Sequence, residues 1–493
     1  MVKKVIIIGG GFSGLSAATH LAAEGHDVTL LEKNHTPGGR ARKFEAKGFV
    51  FDMGPSWYWM PDVFEDYFSR FGKSIADYYD LKRLNPSYVI HFKDGDSMEI
   101  PSKVEEIYDL FEQYEKGSSK KLKKFLKEAQ YKYEVGMRDF VERPGNSILE
   151  FADIRVVKSL FRLQMFQSIS SSVRKLFKNP KLVELLEFPV LFLGATPENT
   201  PALYSLMNYA DLVLGTWYPM GGMHKIIEGM VELAREKGVK IICDAEVKGF
   251  RMEGNSISGI ISSKGDFDTE IVVGAGDYQH IEQVLLPKQF RQYSAEYWES
   301  RVMAPSSLLF YVGIDSKIPG LVHHNLFFDA DFSVHAAEIY ENPKWPSDPL
   351  FYVCAPSVTD ETVAPEGKEN LFILIPLAPG LEDSHELREE YYEKVMERLE
   401  KKVGQSIRGK EVFKQSYAMD NFKSDYYAFK GNAYGLANTL LQTAFLKPKM
   451  KSKKVKNLFY TGQLTTPGPG VPPSLISGKV VASEVQKQIS NVF

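Results

Sequence analysis

Val5-Ile6-Ile7-Ile8-Gly9-Gly10-Gly11-Phe12-Ser13-Gly14 decides the fold of this chain. The first four residues are apolar and β-branched, as in a parallel strand buried on both faces. Gly9, Gly11 and Gly14 then satisfy G-x-G-x-x-G. A helical pattern follows, with Leu15, Ala18, Leu21 and Ala22 on one face and Gly25 at the stop. Val28 to Leu31 reads as a second strand that ends in Glu32. Each part has a mechanical purpose. Gly9 permits the tight turn, Gly11 lets backbone approach a pyrophosphate, and Gly14 lets helix and strand pack closely. The helix N-terminus offers free N–H groups and partial positive charge to phosphates. Glu32 is placed to accept hydrogen bonds from a ribose hydroxyl pair, and its charge disfavours a 2′-phosphate.

The rest of the chain sets bounds on this unit. Its 493 residues carry a net charge of −3, which argues against a nucleic-acid partner, since phosphate neutralisation needs a basic excess. With 44% hydrophobic and 25% charged residues it has the composition of an ordinary globular protein, and its length suggests about three domains. Cys243 and Cys354 have no nearby Cys and no His at zinc spacing, so neither a disulfide framework nor a structural zinc is expected. The start, Met-Val-Lys-Lys, passes at once into the first strand and leaves no room for a signal peptide, which predicts a cytoplasmic protein. No apolar run approaches the roughly 18 to 20 residues needed to span a bilayer, so any membrane contact is expected to be peripheral.

FAD and NAD both fit the first unit. Gly38-Gly39-Arg40-Ala41-Arg42, six residues after Glu32, suits a second backbone and guanidinium contact to a long diphosphate cofactor. This run, with Phe51-Asp52-Met53-Gly54-Pro55, resembles the flavin amine-oxidase superfamily, and most closely its bacterial carotenoid (phytoene-type) desaturases. The resemblance continues through Tyr218-Pro219-Met220-Gly221-Gly222 and Gly431-Asn432-Ala433-Tyr434-Gly435 into Asn457 to Val485, so it covers essentially the whole chain.

The fold it implies is α/β: a Rossmann-type FAD-binding domain with a glutathione-reductase-like nucleotide unit, interleaved with an α+β substrate domain. The expected FAD-binding pieces are 1–66, 218–278 and 420–493. The expected substrate and membrane-facing pieces are 67–217 and 279–419. Between Tyr67 and Trp217 the pattern is mixed and mostly helical, with Lys103 to Glu115 and Lys120 to Tyr133 as amphipathic helices. Strand-like runs at Ser307 to Gly313 and Leu371 to Leu377, and a charged helix from Leu387 to Lys402, mark the second excursion. Near the C-terminus, Leu458 to Tyr460 reads as a strand, and Pro467 to Pro473 leads into a helix from Ser474 to Gln488.

Motif and resemblance together give the expected cofactor contacts. They are Gly9, Gly11, Phe12, Ser13, Gly14, Glu32 and Lys33 in the first unit. Gly39, Arg40, Ala41, Gly54 and Pro55 follow in the second. By resemblance Val247 lends backbone to the adenine, and Gly462, Gly470 and Val471 face the flavin ring, where the last helix's dipole favours developing negative charge. No metal is expected, and no NAD site is visible.

The resemblance implies a C40 polyene substrate drawn from a bilayer. Ile154, Val157, Phe161 and Met165 fall on one helical face beside Arg155, Lys158 and Arg162, with Arg174, Lys175, Lys178 and Lys181 further on. That pattern fits an interfacial helix on anionic lipid or, equally, a core-facing helix with a solvated side. The six lysines between Lys447 and Lys456 read as a solvated loop, with lipid headgroups the alternative. Trp57, Tyr58, Trp59 and the run Phe188 to Leu193 either line a polyene channel or pack as core. His323-His324 reads as surface or structural, and no catalytic base is assigned. The expected reaction is hydride transfer to flavin with electrons passing on to oxygen or a quinone, at the inner face of the cell membrane. The alternatives are a flavin polyene isomerase, an amine oxidase, or a non-catalytic lipid carrier resembling the Rab GDP-dissociation inhibitors. The sequence leaves the carotenoid and the oligomeric state open.

Overall fold

The computed structural model describes residues 1–147, 164, 167–194, 196–439 and 442–491. Lys4–Ile8 is the middle strand of a five-stranded sheet ordered Leu458–Tyr460, Ile271–Gly274, Lys4–Ile8, Asp27–Leu31, Lys240–Ile242. All four pairings are parallel. Ile8 lies beside Gly274 on one side and Leu31 on the other, so these strands end at one edge. A parallel sheet presents its ligand crevice at the carboxyl ends of its strands. The segments that leave this edge are therefore the ones able to build a site.

Helix Phe12–Ala23 returns over the sheet and is buried along most of its length. Helix Val471–Ser490 packs against it, and the Ser16 hydroxyl donates to Leu475 O at 2.8 Å. Helix His224–Glu236 lies against the first helix as well. Its N-terminus is held by Asp52, whose carboxylate accepts the N–H groups of Met223 and His224 at 2.7 and 2.9 Å. This contact joins Phe51-Asp52-Met53-Gly54-Pro55 to Tyr218-Pro219-Met220-Gly221-Gly222. The two stretches are about 170 positions apart in sequence, and each is the other's partner. A small antiparallel sheet of Val247–Glu253, Ser256–Ser262 and Gly265–Asp268 extends this body.

The second sheet has seven strands, ordered Glu411–Tyr417, Ser306–Ile314, Glu369–Leu377, Phe351–Cys354, His324–Phe328, Tyr88–Phe92, Ser97–Ile100. Side chains alternate across it. Leu308, Phe310 and Val312 join a core with Tyr392, Val395 and Leu399 of helix His385–Val403. Leu309, Tyr311, Leu326, Phe328 and Tyr352 face the opposite way, into the main core. Burial on both faces explains why the sequence here reads as unbroken apolar runs.

Sequence periodicity places most helices correctly: Val104–Tyr114, Ser118–Val135 and His385–Val403 fall where expected. It misses the two strands Tyr88–Phe92 and Ser97–Ile100 in a stretch expected to be mostly helical. Tyr88-Val89-Ile90-His91-Phe92 is a short β-branched and aromatic run. Its strand character is realised only when it pairs in parallel with His324–Phe328.

Candidate active site

A cavity of about 470 Å³ opens at the carboxyl edge of the parallel sheet. Segments leaving three of its strands enter the wall directly: Gly9 to Ser13, Glu32 to Asn34, and Ala275 to Asp277. Gly462 enters two residues past a fourth strand, and Ala245 to Val247 follow the fifth. Gly39, Arg40, Ala41, Gly54, Pro55, Gly470 and Val471 also line it. Residues expected to touch the cofactor from three distant parts of the chain, 9–55, 247 and 462–471, are thus in one place. Gly14 is the exception. It lines no part of the cavity, because its Cα faces the turn: an added Cβ would lie 2.0 Å from Gly9 O. Its glycine serves the close packing of helix on strand.

The first helix begins at Gly11 without a side-chain cap, so its leading N–H groups point at the cavity unpaired by the chain. Glu32 is buried and its carboxylate already has partners. One oxygen accepts the Gly10 N–H at 2.7 Å, and the other accepts Asn34 N and Nδ2 at 2.8 and 2.9 Å. Lys33 leans over the Tyr427 ring, its Nζ 3.8 Å from the centroid, and His280 stacks on the same ring with centroids 3.9 Å apart. Burial holds Lys33 below its ordinary pKa and pulls His280 to about 4.

Arg40 is buried against the turn. Its Nη2 donates to Asn432 O at 3.1 Å, while its Nε has no partner. Burial lowers its pKa. Asp277, also lining the cavity, accepts the N–H groups of His280 and Phe429 at 3.0 and 3.2 Å, and burial pushes it up to about 6. A buried guanidinium lines the same cavity as two helix starts without side-chain caps, at Gly11 and Gly470, an arrangement that suits an anion. Where Gly11 and Gly39 meet, an added Cβ on Gly39 would lie 3.3 Å from Gly11 Cα, so backbone alone floors this groove. These features fit a flavin dinucleotide: glycines and Arg40 for the diphosphate, Glu32 for the ribose, and the start of helix Val471–Ser490 for the ring.

Beyond this polar end the cavity becomes aromatic. Trp59, Trp57, Phe188, Phe328 and Phe332 form a chain of ring contacts, with neighbouring centroids 5.2, 6.3, 5.9 and 5.7 Å apart. All five line the cavity, whereas Tyr58 turns away and meets the Tyr79 hydroxyl at 2.9 Å. None of these wall residues is charged. His335, on helix Phe332–Tyr340, also lines the chamber. Its Nδ1 accepts Leu350 N–H at 2.9 Å and its Nε2 faces Pro376 O at 3.0 Å, so it is a neutral ring with both nitrogens used. The chamber offers an apolar wall long enough for a long apolar molecule.

Sequence reasoning missed Asp277, Tyr427 and Asn432 as parts of the site. Gly274-Ala275-Gly276-Asp277 carries the signal for the first, a glycine-rich turn at a strand end. Of the two readings of His323 and His324 the surface one fails: both are buried, His324 as the first residue of a strand inside the second sheet and His323 just before it. Burial pulls His323 to about 3. The residues Ile154 to Arg162 and Met165, expected as an interfacial helix, lie outside the described residues. In the basic stretch after them, Arg174 pairs with Glu187 at 2.9 Å, and Lys181 sits between Asp94 and Asp96 at 2.6 and 2.8 Å. Lys181 is tied down between these carboxylates, whereas Arg174, Lys175 and Lys178 remain exposed, so a basic stretch persists on this surface. The lysine-rich loop is not wholly solvated either. Lys447 is buried and held near pKa 7, and Lys449 Nζ donates to Gly145 O and Phe445 O at 2.6 and 2.5 Å. Among the described residues, no helix is long and apolar enough to cross a membrane.

A dinucleotide cradle that opens into a largely apolar chamber is the layout of a flavoprotein oxidoreductase. The chain belongs to the flavin containing amine oxidoreductase family, whose model matches residues 12–486. Over 491 residues, 99% of each chain, it is 43% identical to a carotenoid 3,4-desaturase of Haloarcula japonica. It is 31% identical over 500 residues, again 99% of each chain, to a 4,4′-diapophytoene desaturase of Staphylococcus aureus. In fold it resembles an oxidoreductase from Methanosarcina mazei, with a TM-score of 0.64 at 15% identity, covering 97% of this chain and 100% of that one.

Proposed function

We propose that this protein is an FAD-dependent carotenoid desaturase that converts a C–C single bond of a C40 carotenoid into a conjugated C=C bond, with 3,4-desaturation of a late carotenoid as its reaction. The uncharged aromatic wall running from the cradle carries this proposal, because a hydrocarbon chain has no group for a polar wall to bind and must be held by shape and burial. The 43% identical desaturase supports the choice of position.

When bound, the flavin supplies the hydride acceptor for chemistry at carbons that carry no heteroatom. The chain's own residues position and shield. Trp57, Phe188 and Phe328 align the polyene and exclude water, while the N-terminus of Val471–Ser490 favours negative charge at the ring's nearby edge. A proton leaves the neighbouring carbon, and the two electrons and two protons removed in total end on oxygen or a quinone, as hydrogen peroxide or quinol. The division into an FAD-binding part of 1–66, 218–278 and 420–493 and a substrate part of 67–217 and 279–419 belongs to this proposal, as do the cofactor contacts assigned above. So does peripheral association with the inner face of the cell membrane, where such a substrate resides.

Anaerobic mixing of the flavin-loaded protein with liposomes carrying one carotenoid at a time tests it. Bleaching of the flavin with a red-shifted product is expected with a late, hydroxylated carotenoid and not with phytoene. Bleaching by phytoene alone would move the reaction to the early steps, and no bleaching with any polyene would end the desaturase proposal.

A further inference from the structure

Behind the aromatic wall lies a cluster that the flavin chemistry does not use. Trp57 stacks on His324 with centroids 4.2 Å apart and planes 11° from parallel. His324 is directly opposite Cys354 in the antiparallel pairing of His324–Phe328 with Phe351–Cys354. Directly opposite residues project from the same face of a sheet. His323 precedes the strand, and its ring turns back to lie 4.4 Å from that of His324. One ligand-capable atom from each of His323, His324 and Cys354 lies within 4.8 Å of the other two, and all three side chains are buried.

The hydrogen bonds of this cluster are half complete. His323 Nδ1 meets Thr359 Oγ1 at 2.9 Å, and His324 Nδ1 meets the Tyr352 hydroxyl at 2.6 Å. The Nε2 atoms of both rings have no partner. Leaving a buried polar atom unpaired costs about 1–3 kcal/mol, and this cluster holds two such atoms. A small cavity of about 20 Å³ borders His323 and Cys354, with Asp52, Ser56, Tyr218 and Met223 among its other walls. A ring nitrogen presented to a metal is commonly oriented by a hydrogen bond at the other nitrogen, which is the state of both rings here.

We propose that His323, His324 and Cys354 form a buried site of two imidazole nitrogens and one thiolate sulfur for a soft or borderline transition-metal ion, Cu+ or Zn2+. Metal–nitrogen and metal–sulfur bonds of about 2.0–2.3 Å bring such ligand atoms to about 3.3–3.8 Å apart, so the cluster closes by about 1 Å on an ion. The Cys354 thiol releases its proton to solvent on ligation, and neither ligand nor ion changes oxidation state. With Cu+ the thiolate complex is neutral, which suits a position without a free counter-charge. With Zn2+ one positive charge remains, and the Asp52 carboxylate on the adjoining wall offsets it. The site ties strand His324–Phe328 to Phe351–Cys354 and braces Trp57 at the chamber wall. It is structural, and it does not depend on which carotenoid is the substrate.

The test uses the full-length, flavin-loaded protein, purified without a metal-binding tag and dialysed separately against Zn2+, Co2+ and, under reductant, Cu+. About one equivalent of ion per chain is expected by elemental analysis, with a thiolate-to-cobalt absorption band in the Co2+ sample. Cys354→Ser is expected to remove that band and lower metal content about tenfold or more, at unchanged flavin content. Cys243→Ser is expected to change neither. If Cys354→Ser does not fold, His323→Asn and the band in the wild-type protein carry the test. Failure of the wild type to take up any of the three ions overturns the proposal, as does equal uptake by wild type and Cys354→Ser.

Discussion

The Glu32 carboxylate accepts the main-chain N–H of Gly10 at 2.7 Å. The acid that ends the second strand thus braces the glycine turn as well as facing the cavity. Glu32→Ala removes a ribose acceptor and this brace together. A hydrogen bond to a charged group contributes about 1.5–3 kcal/mol, so FAD binding should weaken about 10- to 100-fold. Titration of apoprotein with FAD measures it, and an unchanged affinity would remove both roles.

Arg40 lines the cavity next to the groove floored by Gly11 and Gly39. Arg40→Lys keeps the charge but loses the planar fork, and should weaken FAD binding about tenfold; Arg40→Met should cost more. Equal affinity for all three proteins would show that the guanidinium does not meet the diphosphate.

The first and last helices cross where Gly478 meets Ser13. An added Cβ on Gly478 would lie 2.4 Å from Ser13 O, a backbone atom that cannot swing aside. Gly478→Val should destabilise the protein by about 1–3 kcal/mol and disturb both helix N-termini at the cavity. A lower melting temperature together with lost flavin is the expected pair of results. A variant that melts normally with full flavin content would mean that the helices can part without cost.

Trp57 spans the chamber wall between Trp59 and Phe188. Trp57→Ala should leave flavin content unchanged while lowering kcat/KM for the carotenoid about tenfold or more, since the polyene loses alignment at the ring. Turnover on liposome-borne substrate checks this, and wild-type turnover would take Trp57 out of the substrate path.

Burial pulls His335 from its ordinary 6.5 to about 4. Because the folded-state value is lowered, its contribution to stability is present above pH 6.5 and is lost as pH falls toward 4. It amounts to at most about 3 kcal/mol. Buried Asp211 and Glu282 and half-buried Glu184, pushed up to about 7, act with the opposite sign over part of this window. The measurement is therefore a difference: the melting temperature of His335→Gln should fall less steeply than that of the wild type between pH 6.5 and 4. Parallel curves would show that His335 does not protonate on unfolding.

What the sequence by itself determined is what local chain chemistry can encode. Val5 to Ile8, the three glycines and Glu32 specify strand, turn, helix and strand through neighbouring residues, and residues 4–31 fold that way. The amphipathic helices Val104–Tyr114 and His385–Val403 were legible for the same reason, a period of 3.6. The ordered motifs also specified the family, since each is a short run whose backbone geometry needs its own residues.

Only the tertiary structure decided how distant parts meet. Tyr88–Phe92 becomes a strand because His324–Phe328 offers an edge, and no local period records that partner. Gly14 and Gly9 belong to one motif, yet packing turns Gly14 toward the strand while Gly9 faces the cavity. Lys181 is drawn between Asp94 and Asp96 while Arg174, Lys175 and Lys178 stay exposed, so the charge run in sequence does not say which of its members form the surface. Cys354 has no ligand at any recognisable spacing, and cross-strand register sets it beside two histidines about 30 residues away. Hydrogen bonding, charge pairing and metal ligation act over a few ångströms, and chain folding alone determines which residues come that close.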